Sequence, residues 1–137
     1  MADNNAPIRI LDRNSILSMT GRTVEFVEVP EWGGGVHVRS LTGYERDRFE
    51  ASLQATKTGD TRANLSNFRS KLVVLAASDA EGSSIFSDTD ITALGKTSAA
   101  ALERVFSVAQ RLAGMSKQDV EDLTGNSDAE TESFDSD

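Results

Sequence analysis

Arg22-Thr-Val-Glu-Phe-Val-Glu-Val-Pro30-Glu-Trp-Gly-Gly-Gly35-Val-His-Val-Arg39 is the stretch that decides the fold. Two runs rich in β-branched and aromatic residues flank a proline and three glycines, the pattern of two strands joined by a turn. In the first run, residues 22–30, Val24 and Phe26 share one face whereas Val27 and Val29 share the other. That change of phase predicts a bulge near Phe26. Pro30 cannot donate to a ladder, so it marks the strand's end or a sheet edge. Glu31-Trp-Gly-Gly-Gly35 supplies the turn, because glycine tolerates positive φ. On the return strand Val36 and Val38 alternate with His37 and Arg39, which puts His37 on the polar face.

Downstream the pattern turns helical. Thr42-Gly-Tyr-Glu45 fits a capping box, in which hydroxyl and carboxylate satisfy each other's backbone amides, and opens a helix to about Thr56. After a polar loop, Leu65, Phe68, Leu72, Leu75 and Ala76 follow helical spacing from Arg62 onward, as in a core helix. Asp79-Ala-Glu-Gly-Ser83 reads as a turn, followed by Ile85-Phe86 and a second cap, Ser87-Asp-Thr-Asp90. A short helix around Ile91 and Leu94 stops at Gly95. Thr97 or Ser98 then caps the clearest helix, with Leu102, Val105, Phe106, Ala109 and Leu112 on one stripe and Gly114 as its left-handed end. Ser116-Lys-Gln-Asp119 starts a last small helix carrying Val120 and Leu123. Upstream of the hairpin, Ile8, Leu11, Ile16 and Leu17 predict a short helix between Ile8 and Met19.

The expected fold is therefore α+β: one N-terminal β-hairpin followed by a mainly helical domain. Residues 1–7 are expected to be a disordered leader, 8–124 a single domain and 125–137 a disordered acidic tail. Beyond Gly125 there are five acids, no base and one aromatic, Phe134; burial there cannot offset the entropy of ordering.

The 137 residues suffice for one domain. The absence of cysteine removes disulfides, thiolate nucleophiles and cysteine metal sites. With neither a signal-peptide pattern nor a membrane-length apolar run, the expected location is a cytosol. The net charge of -8 is uneven: residues 1–77 hold 10 basic and 9 acidic side chains, residues 78–137 hold 4 and 13. An acidic half repels phosphate backbones, which argues against nucleic acid as a partner. It suits a basic or aggregation-prone protein partner.

Catalytic patterns are lacking. His37 is the single histidine, and no Gly-x-Ser-x-Gly elbow accompanies it. The acids between Asp79 and Asp90 miss the glycine and glutamate positions of a calcium loop; a turn and a cap account for them. Gly33-Gly34-Gly35 lacks the Lys-Ser/Thr ending of a phosphate loop. Arg39, Arg46, Arg48, Arg62, Arg69 and Lys71 are interleaved with acids, as on a solvated helix face. No enzyme and no cofactor is expected. The candidate partner-binding residues are Trp32, Arg39 and Tyr44; a large aromatic at a loop tip suits an anchor, although Trp32 folding back over the core is the competing reading.

The string from Val27 to Glu50, with its Val-Glu-Val-Pro-Glu-Trp-Gly-Gly hairpin and Val-Arg-Ser-Leu-Thr-Gly-Tyr-Glu-Arg-Asp segment, resembles the tail assembly chaperones of siphophages infecting actinobacteria. The stretches Leu72-Val-Val-Leu, Asp79-Ala-Glu-Gly, Ile85-Phe-Ser-Asp, Leu94-Gly-Lys-Thr-Ser and Val108-Ala-Gln-Arg-Leu-Ala-Gly-Met-Ser are similar too, so the likeness spans roughly residues 8 to 126. The resemblance implies a protein that binds the tape measure protein, keeps that long helical chain soluble and promotes assembly of the tail tube around it. It further implies action in the host cytoplasm, absence from the mature virion, and a role for the tail tube protein as partner of a longer, frameshifted form. This chain resembles the short, non-frameshifted product. A structural head–tail joining or minor tail protein, retained in the virion, is the alternative. A regulatory adaptor acting on host proteins is a third class.

Overall fold

The structure is a computed structural model that describes residues 7–125. Residues 1–6 of the expected leader and 126–137 of the expected tail lie outside the described residues.

The quoted stretch forms the hairpin. Strand β1 (Val24–Val29) pairs antiparallel with β2 (Gly34–Arg39), from Val24 opposite Arg39 to Val29 opposite Gly34. The register is unbroken, so there is no bulge at Phe26. The apolar residues instead occupy both faces of a regular strand. Val27 and Val29 face inward; Phe26 faces outward, 60% exposed, edge-on to His37 with ring centroids 5.2 Å apart. His37 is thus half-buried beside an aromatic ring rather than standing free. Pro30–Trp32 makes one 3-10 turn, and Gly33 alone needs positive φ there, at 78°. Gly34 and Gly35 belong to β2. Gly35 is required for another reason: a Cβ there would lie 2.7 Å from the Val27 carbonyl oxygen and run into the Phe26 ring.

The helices follow their caps. Helix α2 (Gly43–Thr56) opens on Thr42 with both arms of the expected box: Glu45 N–H donates to Thr42 Oγ1 at 3.1 Å and Thr42 N–H to Glu45 Oε1 at 2.9 Å. Helix α3 (Thr61–Ala76) starts on the Asp60 carboxylate. It then runs straight into a two-residue strand, β3 (Ala77–Ser78), which the sequence reading missed; β3 adds to β2 and makes the sheet three-stranded in the order β1-β2-β3. Asp79 closes the next turn by accepting from the amides of Glu81 and Ser83, both at 2.9 Å.

After a 3-10 turn (Asp88–Asp90), the short helix α4 (Ile91–Leu94) stops at Gly95. The strongly amphipathic α5 (Ala99–Leu112) is capped by Ser98 and ends at Gly114, φ 73°. Helix α6 (Lys117–Thr124) has a full capping box on Ser116.

Helix α5 lies against the inner face of β1 and β2 and against α3, and α6 packs on α2 and α3. Val29 and Val38 from the sheet, Phe68, Leu72 and Val73 from α3 and Val105 from α5 are fully buried. Phe68 links the layers: its ring meets Phe49 at 5.2 Å and Phe106 at 5.8 Å, both edge-on. Such pairs add to the area they bury because ring edges and faces carry opposite partial charge. Two bridges tie α5 to the hairpin: Arg111 to Glu25 of β1 at 2.7 Å and Arg104 to Glu31 of the 3-10 turn at 2.8 Å.

The N-terminal helix is shorter than expected. Helix α1 covers Arg13–Leu17 and buries none of its side chains; Ile8, Ile10 and Met19 around it are 94%, 95% and 77% exposed. A five-residue helix that buries none of its side chains gains little from its own hydrogen bonds, and here the Asp12 carboxylate, accepting from Ser15 N–H at 2.9 Å, holds the turn.

Candidate functional site

The groove begins at the hairpin tip. The 3-10 turn after Pro30 carries Trp32 toward α4, where it borders an open depression of about 440 Å³ with Ile85, Phe86, Ala93 and Leu94. A second depression, about 520 Å³, lies between α2 and α3; Phe49, Val74, Leu75 and Ile91 form its apolar floor, with Tyr44 and Arg48 at its rim. Phe86 lines both, so the two adjoin at its side chain. The segment Ile85-Phe86 falls between a turn and a cap, where neither a strand nor a helix partner absorbs it. That isolation is the signal by which sequence could have placed it at a surface.

Of the three candidate contact residues, the structure brings two to this groove. Trp32, 37% exposed, stands at one end and Tyr44, 70% exposed, at the other. Trp32 therefore leans on α4 while keeping part of its ring in solvent. Arg39 is withdrawn from any contact surface: it is 8% exposed, and its guanidinium donates to the carbonyls of Leu75 and Gly82. Alternation does place Arg39 on the outer face of β2, but the turn after β3 folds over its end of that face and Gly82 accepts from its guanidinium.

Charges at the groove are of two kinds. Arg22 holds Glu45 in a two-pronged bridge at 2.6 and 2.7 Å, which, with the Thr42 amide, depresses the Glu45 carboxyl to about 2. Lys71 instead donates to Ser52 Oγ at 2.6 Å and to Thr56 Oγ1 at 3.2 Å, and burial pushes its ammonium down against the opposing influence of Asp88. Arg48 lies over the Tyr44 ring, 5.7 Å from its centroid. The groove therefore offers an apolar floor, two rim cations that no carboxylate hydrogen-bonds among the described residues, and the carboxylates of Asp88 and Asp90.

Other features point to less. A depression of about 450 Å³ near Ser66, Ser70 and Gly95 is walled by Arg69 and Glu103, themselves bridged at 3.3 Å, with Ala99, Ala100 and Leu102 beside them. Among the described residues no group of three or more His, Asp or Glu side chains could hold a metal ion, and no helix is long and apolar enough to cross a membrane. In comparisons with protein-family models, curated proteins and solved structures, nothing matches this chain.

Proposed function

We propose that the chain is a non-catalytic client-binding protein, a phage tail assembly chaperone that takes an amphipathic helix of the tape measure protein into the groove between Trp32 and Tyr44. The observation that carries this reading is the groove itself. Its floor of Leu75, Phe86 and Ile91 matches the apolar stripe of a helix, and its rim charges match a polar flank. Covering such a stripe keeps a long helical client from associating with itself. The exposed Ile8, Ile10 and Met19 offer further apolar surface to the same partner. The resemblance across residues 8 to 126 supplies the identity of the client, the promotion of tail tube assembly, the tail tube protein as partner of a longer form, and the host cytoplasm as the place of action.

The test is a tagged pull-down from infected cells, with mass spectrometry of the eluate and of purified virions. The expected result is a very long helical phage protein in the eluate and none of this chain in virions. Stoichiometric presence in virions would replace the chaperone with a structural tail or head–tail joining component. An eluate of host proteins alone would mark an adaptor.

A further inference from the structure

We propose that the depression at the start of α5 binds a phosphate group, free or as a monoester, between Arg69, the first amides of the helix and the Ser70 hydroxyl. The site shares only Thr97 with the depression beside Trp32 and nothing with the one beside Tyr44. It does not depend on the function proposed above.

Helix α5 starts on Ala99-Ala100-Ala101 with no acid in its first turn. Ser98 Oγ accepts from the Ala101 amide at 3.2 Å. The amides of Ala99 and Ala100, which border the depression, have no bonded partner among the described residues. They stand at the positive end of the helix dipole, where anions are favoured. Every long helix begins in this way; two polar groups of α3 without hydrogen bonds set this start apart.

The first is Ser70, which is 5% exposed. Its Oγ makes no hydrogen bond among the described residues. It lies 3.3 Å from where a Cβ on Gly95 would stand, so the glycine leaves it open to the depression that both residues line. The second is Arg69. Its Nε is the one buried side-chain nitrogen or oxygen, among the described residues, without a hydrogen bond. Glu103 Oε1 is 3.3 Å away, near enough for an ion pair but not aligned with the N–H. A buried donor left unbonded is destabilising, and a ligand oxygen that accepts from it removes that penalty.

The donors suit an anion with several oxygens. Two amides, one hydroxyl and a two-pronged guanidinium outnumber the roughly four acceptor sites of a carboxylate, whereas a phosphate monoester presents three strong acceptor oxygens. Lys96, exposed between the lining residues Gly95 and Thr97, adds a positive charge nearby. Glu103 also lines the depression and opposes an anion. Its side chain is 54% exposed, so it can turn to solvent as Arg69 changes partner. The net charge of -8 acts mostly from farther away, and is screened beyond about 8 Å at physiological ionic strength.

Titration of the isotope-labelled full-length protein with inorganic phosphate, at ionic strength held constant with chloride, reads the site. Amide signals of Ser70, Gly95, Ala99 and Ala100 should follow one saturating curve, while those of Glu45 and Asp119, at the capped starts of α2 and α6, stay in place. Arg69→Gln should weaken binding at least about tenfold, the loss of a charge-assisted hydrogen bond. Gly95→Ala suits the backbone there, at φ -65°, and should weaken binding by setting a methyl against the Ser70 hydroxyl. Glu103→Gln should strengthen binding, which loss of a merely structural bridge would not do. Glycerol 2-phosphate separates the two sources: tighter binding than inorganic phosphate assigns the site to a monoester, weaker binding to the free ion. Shifts that never saturate, or that appear equally at the starts of α2 and α6, overturn the proposal. So do curves unchanged in Gly95→Ala, or binding weakened in Glu103→Gln, both of which stand even where Arg69→Gln fails to fold.

Discussion

The guanidinium of Arg39 closes on the carbonyl oxygen of Leu75, donating from Nε at 3.0 Å and Nη2 at 2.9 Å. Leu75 lies in the last turn of α3, whose final carbonyls have no partner within the helix. A cation there both satisfies that oxygen and opposes the negative end of the helix dipole. The remaining amine, Nη1, donates to the Gly82 carbonyl at 2.9 Å. One side chain thus joins β2, the end of α3 and the turn after β3.

Arg39→Met should therefore destabilise the protein rather than weaken partner binding. The buried Gly82 carbonyl and the partly buried Leu75 carbonyl lose their donors, at up to about 1–3 kcal/mol for each unsatisfied group. Arg39→Lys cannot reproduce the fork and should recover only part of the loss. Urea unfolding of both variants measures this; a midpoint unchanged in Arg39→Met would refute it.

Gly34 and Gly35 should respond oppositely to alanine. A Cβ at Gly34 meets nothing within 4 Å, whereas at Gly35 it strikes the Phe26 ring and the Val27 carbonyl. Gly35→Ala should cost about 1–3 kcal/mol, the range for overpacking, and Gly34→Ala close to nothing. Because the Val27 contact is to backbone, trimming Phe26 to Ala should relieve Gly35→Ala only in part. Thermal unfolding of the four proteins decides it.

Acid should loosen the junction of hairpin and α2. Glu45 has its carboxyl depressed from 4.5 to about 2, chiefly by the Arg22 bridge. A depressed carboxyl contributes stability that is fully present above about pH 4.5 and is lost as the pH falls toward 2. The wild type should lose stability across that window more steeply than Glu45→Gln, which has no such proton to bind. Equal slopes in denaturant titrations at several pH values would contradict the assignment.

Groove variants should separate binding from folding. Tyr44→Ala removes a largely exposed ring and should leave the unfolding midpoint nearly unchanged, whereas Trp32→Ala also loses the part of its ring packed on α4 and should lower the midpoint without unfolding the protein. Binding to a helical segment of the client should fall at least about tenfold for a central aromatic anchor. Phe68→Ala, which opens the core between Phe49 and Phe106, should instead cost about 3–5 kcal/mol in stability. Fluorescence anisotropy with a labelled client helix provides the comparison, and a Trp32→Ala variant that binds normally would take the hairpin tip out of the site.

Local signals carried much of this fold. Thr42, Ser98 and Ser116 cap the helices they were expected to cap, because capping is decided by side chains within three or four residues of one another. The turn at Pro30–Gly33 and the amphipathic stripe of α5 are legible for the same reason. Ala77–Ser78 was not, since a two-residue strand has no pattern of its own and exists only because β2 lies beside it. Nor does spacing separate Phe26, an outward-facing ring over a glycine, from a bulge.

The sequence by itself determined the hairpin and its turn, the capped starts of α2, α5 and α6 and the apolar stripe of α5. Tertiary structure alone decided that Arg39 is an internal tie whereas Trp32 and Tyr44 share one groove. Alternation tells which face of a strand a residue is on. Whether that face meets solvent depends on which distant segment folds over it. Here the turn containing Gly82 reaches back across 43 residues of chain to bury Arg39, while Phe86 lines both the depression beside Trp32 and the one beside Tyr44.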